Sequence, residues 1–186
     1  MTIVIAPINK YPQFLPIVAK WYMSFWGEKY PKRTLSDWED FIGKNSDEAP
    51  FTLIAFDNKN PTVVLGTASL KLNGMGQYKP DHVWLSAVFV PPEYRGKKIA
   101  TTLINEVIDI ARKKYPDIYL FTRTDGRIYK NLGWRVTEVT EFQETQVLIM
   151  KKSLEPLANN QFRLNAHYPH HERVGERLDR QYTAKL

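Results

Sequence analysis

The sequence predicts a single α/β domain in which a mixed sheet is covered by helices. Its 186 residues suit one domain of ordinary size with a buried core. Hydrophobic residues make up 43% of the chain and aromatic residues 13%, which is the composition of a globular protein and not of a disordered one. Runs with strand composition flank a long amphipathic helical pattern, and the chain has no internal repeat. We therefore expect strands and helices to share one core.

The first fifty residues carry two helical patterns. In residues 14–26 the apolar side chains recur at helical spacing. These are Phe14, Ile17, Val18, Trp21 and Phe25. A second, shorter helix is predicted to carry Trp38, Phe41 and Ile42. Either Thr34 or Ser36 could cap it, because a hydroxyl oxygen accepts a hydrogen bond from the free amides at a helix N-terminus.

The next part of the chain predicts a pair of strands. Residues 51–56 are mostly apolar, and residues 57–61 hold the Asp, Asn and Pro that are typical of a turn. Residues 62–72 are predicted to return as the second strand, with Gly66 as a candidate bulge. The glycines and the proline of residues 73–80 predict a loop.

A strand and a long helix follow. Residues 83–90 predict the strand, which Pro91 and Pro92 end because proline has no N–H to give to a sheet. From residue 97 to 115 the pattern is helical, with charged residues on one side. The apolar side holds Ile99, Leu103, Ile104, Val107, Ile108, Ile110 and Ala111.

Three short elements are predicted after this helix. Residues 118–122 have strand composition, and residues 126–132 predict a short helix that ends at Gly133, a good C-terminal cap. Two closing strands are predicted at residues 134–140 and 143–150.

The end of the chain differs in character from the rest. Residues 153–186 are polar, hold three of the four histidines and show weak periodicity. We therefore divide the chain into a domain at 1–152 and a C-terminal extension at 153–186, in which 172–182 are a candidate helix. The cluster of His167, His170, His171 and Glu172 has only loose metal-ligand spacing, so we expect no metal.

The composition excludes several kinds of site. The chain has no cysteine, which excludes disulfides, thiolate nucleophiles and cysteine zinc sites. The apolar run at residues 3–6 lacks the charged flank and the length of a signal peptide, and no run approaches the roughly 20 apolar residues of a membrane span. We expect a soluble, cytoplasmic protein without a membrane partner. The net charge is +6, but the basic residues are spread over the chain, so we expect no nucleic-acid partner.

The strongest functional signal is the strand–turn–helix of residues 84–100. The strand ends in prolines, runs into Arg95-Gly96 and opens the long helix. Such a turn aims successive backbone N–H groups at one point, at the positive end of the helix dipole, and this arrangement binds a pyrophosphate. Arg95, Lys97 and Lys98 add positive charge for further phosphate groups. A plain strand–turn–helix without a ligand is the alternative.

This segment resembles the GNAT superfamily of acetyl-CoA-dependent N-acetyltransferases. The family motif Arg/Gln-x-x-Gly-x-Gly/Ala lies over the pyrophosphate of acetyl-CoA, and it is matched here by Arg95, Gly96, Lys97, Lys98, Ile99 and Ala100. Lys98 replaces the middle glycine, and its amide can still donate if the backbone there is helical and not left-handed. The resemblance implies that Thr101 completes this turn. It also implies that the backbone of Val88, Phe89 and Val90 pairs with the pantetheine arm.

A second family signature lies at residues 128–134. The sequence Ile128-Tyr129-Lys130-Asn131-Leu132-Gly133-Trp134 is similar to the family pattern Tyr-x-x-x-Gly-Phe, with Trp in place of Phe. In the family this tyrosine faces the thioester sulfur. The resemblance therefore implies that Tyr129 protonates the departing CoA thiolate as a general acid, with Asn131 beside the cofactor. Without this context, Tyr129 would be read as a packing residue. The order of elements matches the family from about residue 50 to 151.

The resemblance implies a fold and a reaction. The sheet should be mixed, twisted and splayed near its middle, with helices on both faces. The reaction should be acetyl transfer from acetyl-CoA to a primary amine of a small molecule or a peptide, by direct attack, in a monomer or a homodimer. Three alternatives stay open at this point. They are a different acyl donor, a catalytically silent CoA-binding or regulatory module, and a nucleic-acid binder.

The sequence leaves the amine side open. Many family members carry Glu where this chain has Ser86, and serine is no base unaided, although it could hold a water. The candidate bases are Asp81, His82 and Asp125, and Glu28 could instead attract the amine. The acceptor itself is not identified. The first helices cover the acceptor groove in this family, and the candidates for its wall are Trp26 and Tyr30.

Overall fold

The computed structural model describes residues 2–28, 30–43, 49–72, 74–75 and 82–155. The strands in these ranges are β1 (Ile3–Pro7), β2 (Phe51–Asp57), β3 (Asn60–Leu72), β4 (Val83–Phe89), β5 (Asp117–Thr122), β6 (Arg135–Phe142) and β7 (Thr145–Ser153). The α-helices in them are α1 (Leu15–Trp26), α2 (Leu35–Gly43), α3 (Ile99–Ala111) and α4 (Arg127–Asn131).

The strands form one mixed sheet in the order β1-β2-β3-β4-β5-β7-β6. The pair β4–β5 is parallel and the other neighbours are antiparallel. Helices α1 and α2 share a core with Ile54 and Phe56 of β2, whereas α3 shares a core with Leu53 and Ala55 of the same strand. Alternate residues of a strand point to opposite faces, so the helices cover both faces of the sheet. The predicted fold class is confirmed.

Helix α3 bears out its predicted apolar face. Six of the seven predicted residues are buried, and Ile110 is half-buried against the same core. Thr34 and not Ser36 caps α2. The Thr34 hydroxyl accepts the Asp37 amide at 3.2 Å, and the Asp37 carboxylate accepts the Thr34 amide at 2.7 Å. This reciprocal pair satisfies two groups that the helix start would otherwise leave free.

The predicted core stripe of α1 is partly wrong. Val18, Ala19 and Tyr22 are buried, whereas Ile17 is 38% exposed and Phe25 is 53% exposed. The helix is rotated toward Tyr22 because the hydroxyl of this residue reaches Ser69 of β3 at 2.6 Å. The spacing of apolar residues does not reveal such a buried hydrogen bond. Phe25 therefore lies outside the core, in contact with Phe89 at the end of β4.

Two further boundaries differ from the prediction. Residues 3–7, to which the sequence analysis gave no element, form β1 at the edge of the sheet, paired with β2. Gln143 is not the start of a strand. Gln143 and Glu144 both have positive φ, 55° and 59°, which is the backbone of a two-residue hairpin turn between β6 and β7.

The predicted C-terminal extension lies almost wholly outside the described residues, which end at Glu155. The same holds for its candidate helix and for the cluster of His167, His170, His171 and Glu172. Leu154 packs in the core, and its amide donates to the Pro116 carbonyl at 2.8 Å. None of the helices in the described ranges combines the length and the apolar character that crossing a bilayer requires.

Candidate active site

The sheet opens between β4 and β5. These strands share a single residue pair, Trp84 with Tyr119. On the other side of β4, Thr67 pairs with Phe89 and Ser69 pairs with Ser86, so β4 holds one residue more than β3 over this stretch. The extra residue bulges the strand, and Ala87 takes a positive φ of 52° within it. Beyond Trp84, the backbone of β4 faces β5 without a ladder partner in the described chain.

The start of α3 follows directly after the open end of β4. A short 3-10 turn at Pro92–Tyr94 leads to Gly96, which has a φ of +77°, and the helix begins at Ile99. Thr102 is the first residue whose amide bonds back, to the Lys98 carbonyl at 3.0 Å. The amides of Ile99, Ala100 and Thr101 therefore have no acceptor within the helix. No side chain caps this N-terminus, so the site can receive an anion.

Lys98 is left-handed, with φ 60° and ψ 13°. The condition stated for the Lys98 amide, a helical and not left-handed backbone, is therefore not met. It fails because this residue precedes the first helical residue and turns the chain into α3. Glycine adopts this conformation without strain, whereas a side chain there costs about 1 kcal/mol. The geometry therefore explains why a glycine suits this position of the motif.

We expect the substitution Lys98→Gly to raise the free energy of unfolding by about 0.5–1 kcal/mol, because it relieves the left-handed strain at the cost of a more flexible unfolded chain. Urea denaturation followed by tryptophan fluorescence measures the change. Lys97→Gly is the matched control, since Lys97 has no positive φ, and it should give no gain. Equal effects of the two glycines would contradict this account of Lys98.

The basic residues of the turn have different surroundings. The Arg95 Nε donates to the Val90 carbonyl at 3.1 Å, so its side chain ties the turn to the end of β4. The Lys97 ammonium lies 5.6 Å from the centre of the Tyr94 ring. The side chains of Arg95, Lys97 and Lys98 are exposed. The predicted residues 88–90 and 95–101 thus follow one another at the carboxyl end of β4, the middle strand of the sheet.

Tyr129 lies on α4, which follows β5 in the chain, and β5 is the strand across the sheet opening from β4. Gly126, with a φ of +70°, starts this helix, and Gly133, with a φ of +81°, follows its end as predicted. The Tyr129 ring packs edge-on against Trp134 with ring centres 6.1 Å apart. Burial raises the pKa of the Tyr129 phenol above its ordinary value of 10.0. The phenol is therefore protonated at neutral pH, as a general acid must be. Asn131 is exposed at the last position of α4.

The structure separates the candidate bases. Asp81 lies outside the described residues. Asp125 accepts the Arg127 amide at 2.9 Å, and this bond lowers the pKa of its carboxyl group, so Asp125 is a weaker base that shapes the start of α4. Glu28 is exposed. The His82 ring lies edge-on to Tyr119 at 4.7 Å, and its Nδ1 is buried without a hydrogen-bond partner among the described residues.

Aromatic side chains of α1 and α2 pack against one another and against the outer part of β4. Phe89 contacts both Trp21 and Phe25 of α1, with ring centres 5.0 and 4.8 Å apart. Of the two predicted wall residues, Trp26 packs on Tyr22 at 4.9 Å, and Tyr30 packs edge-on against Trp38 at 5.8 Å. Both are half-buried. The sequence analysis missed the cations among these rings, Arg33 and Lys71, although a lysine inside an otherwise apolar strand pattern was a visible signal.

A cavity of about 410 Å³ lies elsewhere, at the C-terminal end of α3 beside β1 and β2. Its lining includes Ile110, Lys113 and Tyr115, at the opposite end of this helix from the free amides. It therefore does not belong to the phosphate site.

An α/β sheet that opens between two inner strands, beside an uncapped helix N-terminus, belongs to the class of folds that are suited to a ligand with phosphate groups. The sequence identifies the family within that class. Residues 15–134 match the acetyltransferase (GNAT) family, and the chain belongs to this family. It is therefore an acetyltransferase. No curated protein sequence matches the chain.

Solved structures share the fold over most of the chain. Ribosomal-protein-alanine N-acetyltransferase from Brucella melitensis matches 83% of this chain and 100% of its own, with a TM-score of 0.63 and 18% identity. An aminoglycoside 6'-N-acetyltransferase complexed with coenzyme A matches 83% and 98%, with a TM-score of 0.62 and 17% identity. NAA60 from Arabidopsis thaliana in complex with acetyl-CoA matches 82% and 99%, with a TM-score of 0.59 and 18% identity.

Proposed function

We propose that this chain transfers an acetyl group from acetyl-CoA to a primary amine by direct attack. The observation that carries the proposal is the position of the open end of β4 next to the uncapped N-terminus of α3. The open end of β4 can hydrogen-bond an extended amide chain through its unpaired backbone groups. The N-terminus of α3 can bind phosphates through its free amides. Acetyl-CoA has both parts in this order, which supports it as the cosubstrate.

The chain's own residues then take separate binding roles. The backbone of Val88, Phe89 and Val90 pairs with the pantetheine amides in the manner of an added strand. Within the turn at 95–101, the free amides of Ile99, Ala100 and Thr101 hold the pyrophosphate, and the exposed side chains of Arg95, Lys97 and Lys98 screen its charge. Asn131, at the end of α4, contacts the cofactor on the other side of the gap. Two of the similar structures contain coenzyme A or acetyl-CoA, which agrees with this assignment.

Tyr129 is the proposed general acid. The amine nitrogen forms a bond to the thioester carbonyl carbon, and the bond from that carbon to sulfur breaks. Tyr129 donates its phenolic proton to the sulfur, so that a thiol and not a thiolate leaves. The proton that the amine loses restores the phenol by way of solvent. We assign no side chain as the base. Ser86, with its buried hydroxyl, is suited to hold a water that accepts the amine proton.

Small molecules and peptides both fit the proposed acceptor class. One of the similar structures is named for an aminoglycoside and another for the alanine of a ribosomal protein. The acceptor reaches this chain in the space between α1, α2 and β4, where Phe89 and the rings of α1 form an apolar wall.

A thermal-shift measurement tests the cofactor part of the proposal. At a concentration 100 times Kd, acetyl-CoA should stabilise the folded chain by about 2.7 kcal/mol, which corresponds to a rise in Tm of about 5–10 °C for a protein of this size. S-acetylpantetheine, which lacks the pyrophosphate, is the control ligand and should raise Tm much less. An unchanged Tm at saturating acetyl-CoA would refute the proposed function.

A further inference from the structure

Two cations, Lys71 of β3 and Arg33 before α2, lie among the aromatic rings of the acceptor side. The Lys71 ammonium is 4.9 Å from the centre of the Phe41 ring, and the Arg33 guanidinium is 5.0 Å from the same centre. Lys71 also lies over Tyr22 and Trp26, at 5.4 and 5.9 Å, and Arg33 lies over Tyr30 and Trp38, at 4.7 and 4.8 Å. We call Lys71 and Arg33 the cation pair.

The cation pair has no counter-ion in the described part of the chain. Neither residue has a carboxylate within 4.0 Å there. The carboxylate of Asp37 influences Arg33 from a distance, but the amide and the hydroxyl of Thr34 both donate to it, at 2.7 and 2.8 Å. The faces of aromatic rings stabilise a cation only partly, and they do not neutralise it.

The charged form of Lys71 is destabilised by its surroundings. Burial, and secondarily the charge of Arg33, lower the pKa of Lys71 to about 8. A depressed lysine pKa shows that the charged form is destabilised relative to water. An anion between the two cations would reverse both causes, because it replaces lost hydration and opposes the repulsion. The pair is therefore arranged to gain from a bound anion.

A second observation near Lys71 is a buried hydroxyl that has no partner. The Ser86 Oγ is buried and has no hydrogen-bond partner among the described residues. Ser86 pairs in register with Ser69, whose own hydroxyl bonds to Tyr22 and Thr52 at 2.6 and 2.9 Å. Lys71 pairs with Trp84, so Lys71 and Ser86 are diagonal neighbours on one face of the sheet, within about 7–8 Å. Lys71 and the bulge of β4 thus lie on the same face of the sheet, the face that α1 and α2 cover.

We propose that the cation pair binds an anionic group, a carboxylate or a phosphate, on the acceptor, and so selects amines that carry negative charge at their far end. This rests on the proposed acetyl transfer and adds the substrate class. The Arg33 fork can bind such a group through two hydrogen bonds, and Lys71 adds a point charge. An amine with several positive groups would be repelled from the same place. Lys71 and Arg33 are then specificity residues that contact the acceptor and not its reacting nitrogen.

The test compares acceptors that differ only at the far end. Acetylation is measured as CoA release with ω-amino carboxylates of two to five methylene groups, with alkylamines that carry a methyl in place of the carboxylate, and with aminoalkyl phosphates. We expect kcat/KM to be about 10- to 100-fold higher for the better anionic series than for the alkylamines. The series that is preferred identifies the anion. Equal or higher kcat/KM for the alkylamines at every length would overturn the proposal.

Substitutions at Lys71 and Arg33 test whether the cation pair causes the preference for anionic acceptors. Lys71→Met and Arg33→Met keep much of the apolar bulk and remove the charge. Each should lower the ratio of kcat/KM for the anionic acceptor to kcat/KM for the alkylamine by about tenfold or more. Lys71→Arg should retain part of the preference. Lys59→Met, in the exposed turn between β2 and β3, is the matched control and should retain it fully. A preference that survives in both Lys71→Met and Arg33→Met would overturn the proposal.

A binding assay tests the anion site even if the proposed acetyl transfer is wrong. If no amine is acetylated, the same ω-amino carboxylates and aminoalkyl phosphates are added to wild-type protein in a thermal-shift assay. A rise in Tm that is lost in Lys71→Met would support the anion site even though the transfer reaction had failed. The absence of any rise would overturn the site.

Discussion

We expect Tyr129→Phe to lower kcat for acetyl transfer by about 100- to 1000-fold while it leaves the Kd for acetyl-CoA nearly unchanged. The substitution removes one oxygen and keeps the ring that packs edge-on against Trp134. General acid catalysis contributes about this factor to reactions with a poor leaving group. The fold should be preserved, because the hydroxyl of Tyr129 makes no hydrogen bond within the described residues. Steady-state kinetics and equilibrium binding of acetyl-CoA measure the two quantities.

The pH dependence provides an independent check on Tyr129. Since burial raises the pKa of this phenol above 10.0, it stays protonated through the neutral and moderately alkaline range. The wild-type kcat/KM should therefore rise with pH as the acceptor amine loses its proton, and Tyr129 should cause no decline below about pH 10. In Tyr129→Phe, kcat/KM should be lower at every pH but should still rise with pH, because the acceptor amine still loses its proton.

Tyr11→Phe is the matched control for this substitution. Tyr11 packs against Phe14 and Phe56, with ring centres 6.3 and 4.8 Å apart, and it belongs to neither the 88–90 nor the 95–101 segment. Its loss of a hydroxyl should leave kcat within about twofold of the wild type. Unreduced acetylation by Tyr129→Phe would show that Tyr129 is not the acid, whatever the cofactor affinity.

The local pattern of the chain was enough to predict the strand, the turn and the helix start that we propose to bind the cofactor. The prolines that end β4, the turn at Arg95-Gly96 and the apolar face of α3 are all contiguous in sequence, so the proposed phosphate site consists of neighbouring residues. Short-range rules govern such a unit, since a strand, a turn and a helix start each depend on nearby residues. The same holds for α4, whose ends are marked by Gly126 and Gly133.

The acceptor side could not be predicted in this way, because its geometry depends on pairing between distant strands. Ser69, Lys71 and Ser86 come together only through the register of β3 with β4. The rotation of α1 toward Tyr22 likewise follows from a hydrogen bond across 47 residues. No periodicity in α1 distinguishes Tyr22 from Phe25, so the predicted stripe placed the wrong ring in the core. The left-handed backbone at Lys98 has a similar origin, since packing of α3 on the sheet fixes its entry angle.

Gly66 of β3 connects the stability of the fold to the cofactor strand. The predicted bulge is next to it, since Ala55 pairs with Gly66 whereas Phe56 pairs with Val64, which leaves Leu65 as the extra residue. A Cβ at Gly66 would lie 2.7 Å from the Phe89 carbonyl oxygen and 3.0 Å from a Val90 methyl group. The first of these contacts is with backbone, which no side-chain rotation can relieve. The glycine is therefore required because the end of β4 crosses β3 closely here.

We expect Gly66→Ala to lower the free energy of unfolding by about 3 kcal/mol, because the new methyl group must push the Phe89 carbonyl out of place. This corresponds to a shift of the urea midpoint on the order of 1–2 M. The displaced residues are those proposed to pair with pantetheine, so acetyl-CoA should also bind about tenfold more weakly. Urea denaturation and equilibrium binding measure the two effects on one protein sample.

Gly43→Ala separates the steric cause from the general effect of replacing a glycine. Among the described residues, a Cβ at Gly43 would meet Leu15 side-chain atoms alone, at 3.5 and 3.6 Å, which is ordinary contact, and Gly43 is the last residue of α2. Its free energy of unfolding should change by less than about 0.5 kcal/mol, with cofactor affinity unaltered. A Gly66→Ala variant as stable as Gly43→Ala would mean that β4 can shift without cost. The open end of β4 would then be adaptable and not a rigid template for the cofactor, and the binding argument would have to rest on the helix N-terminus alone.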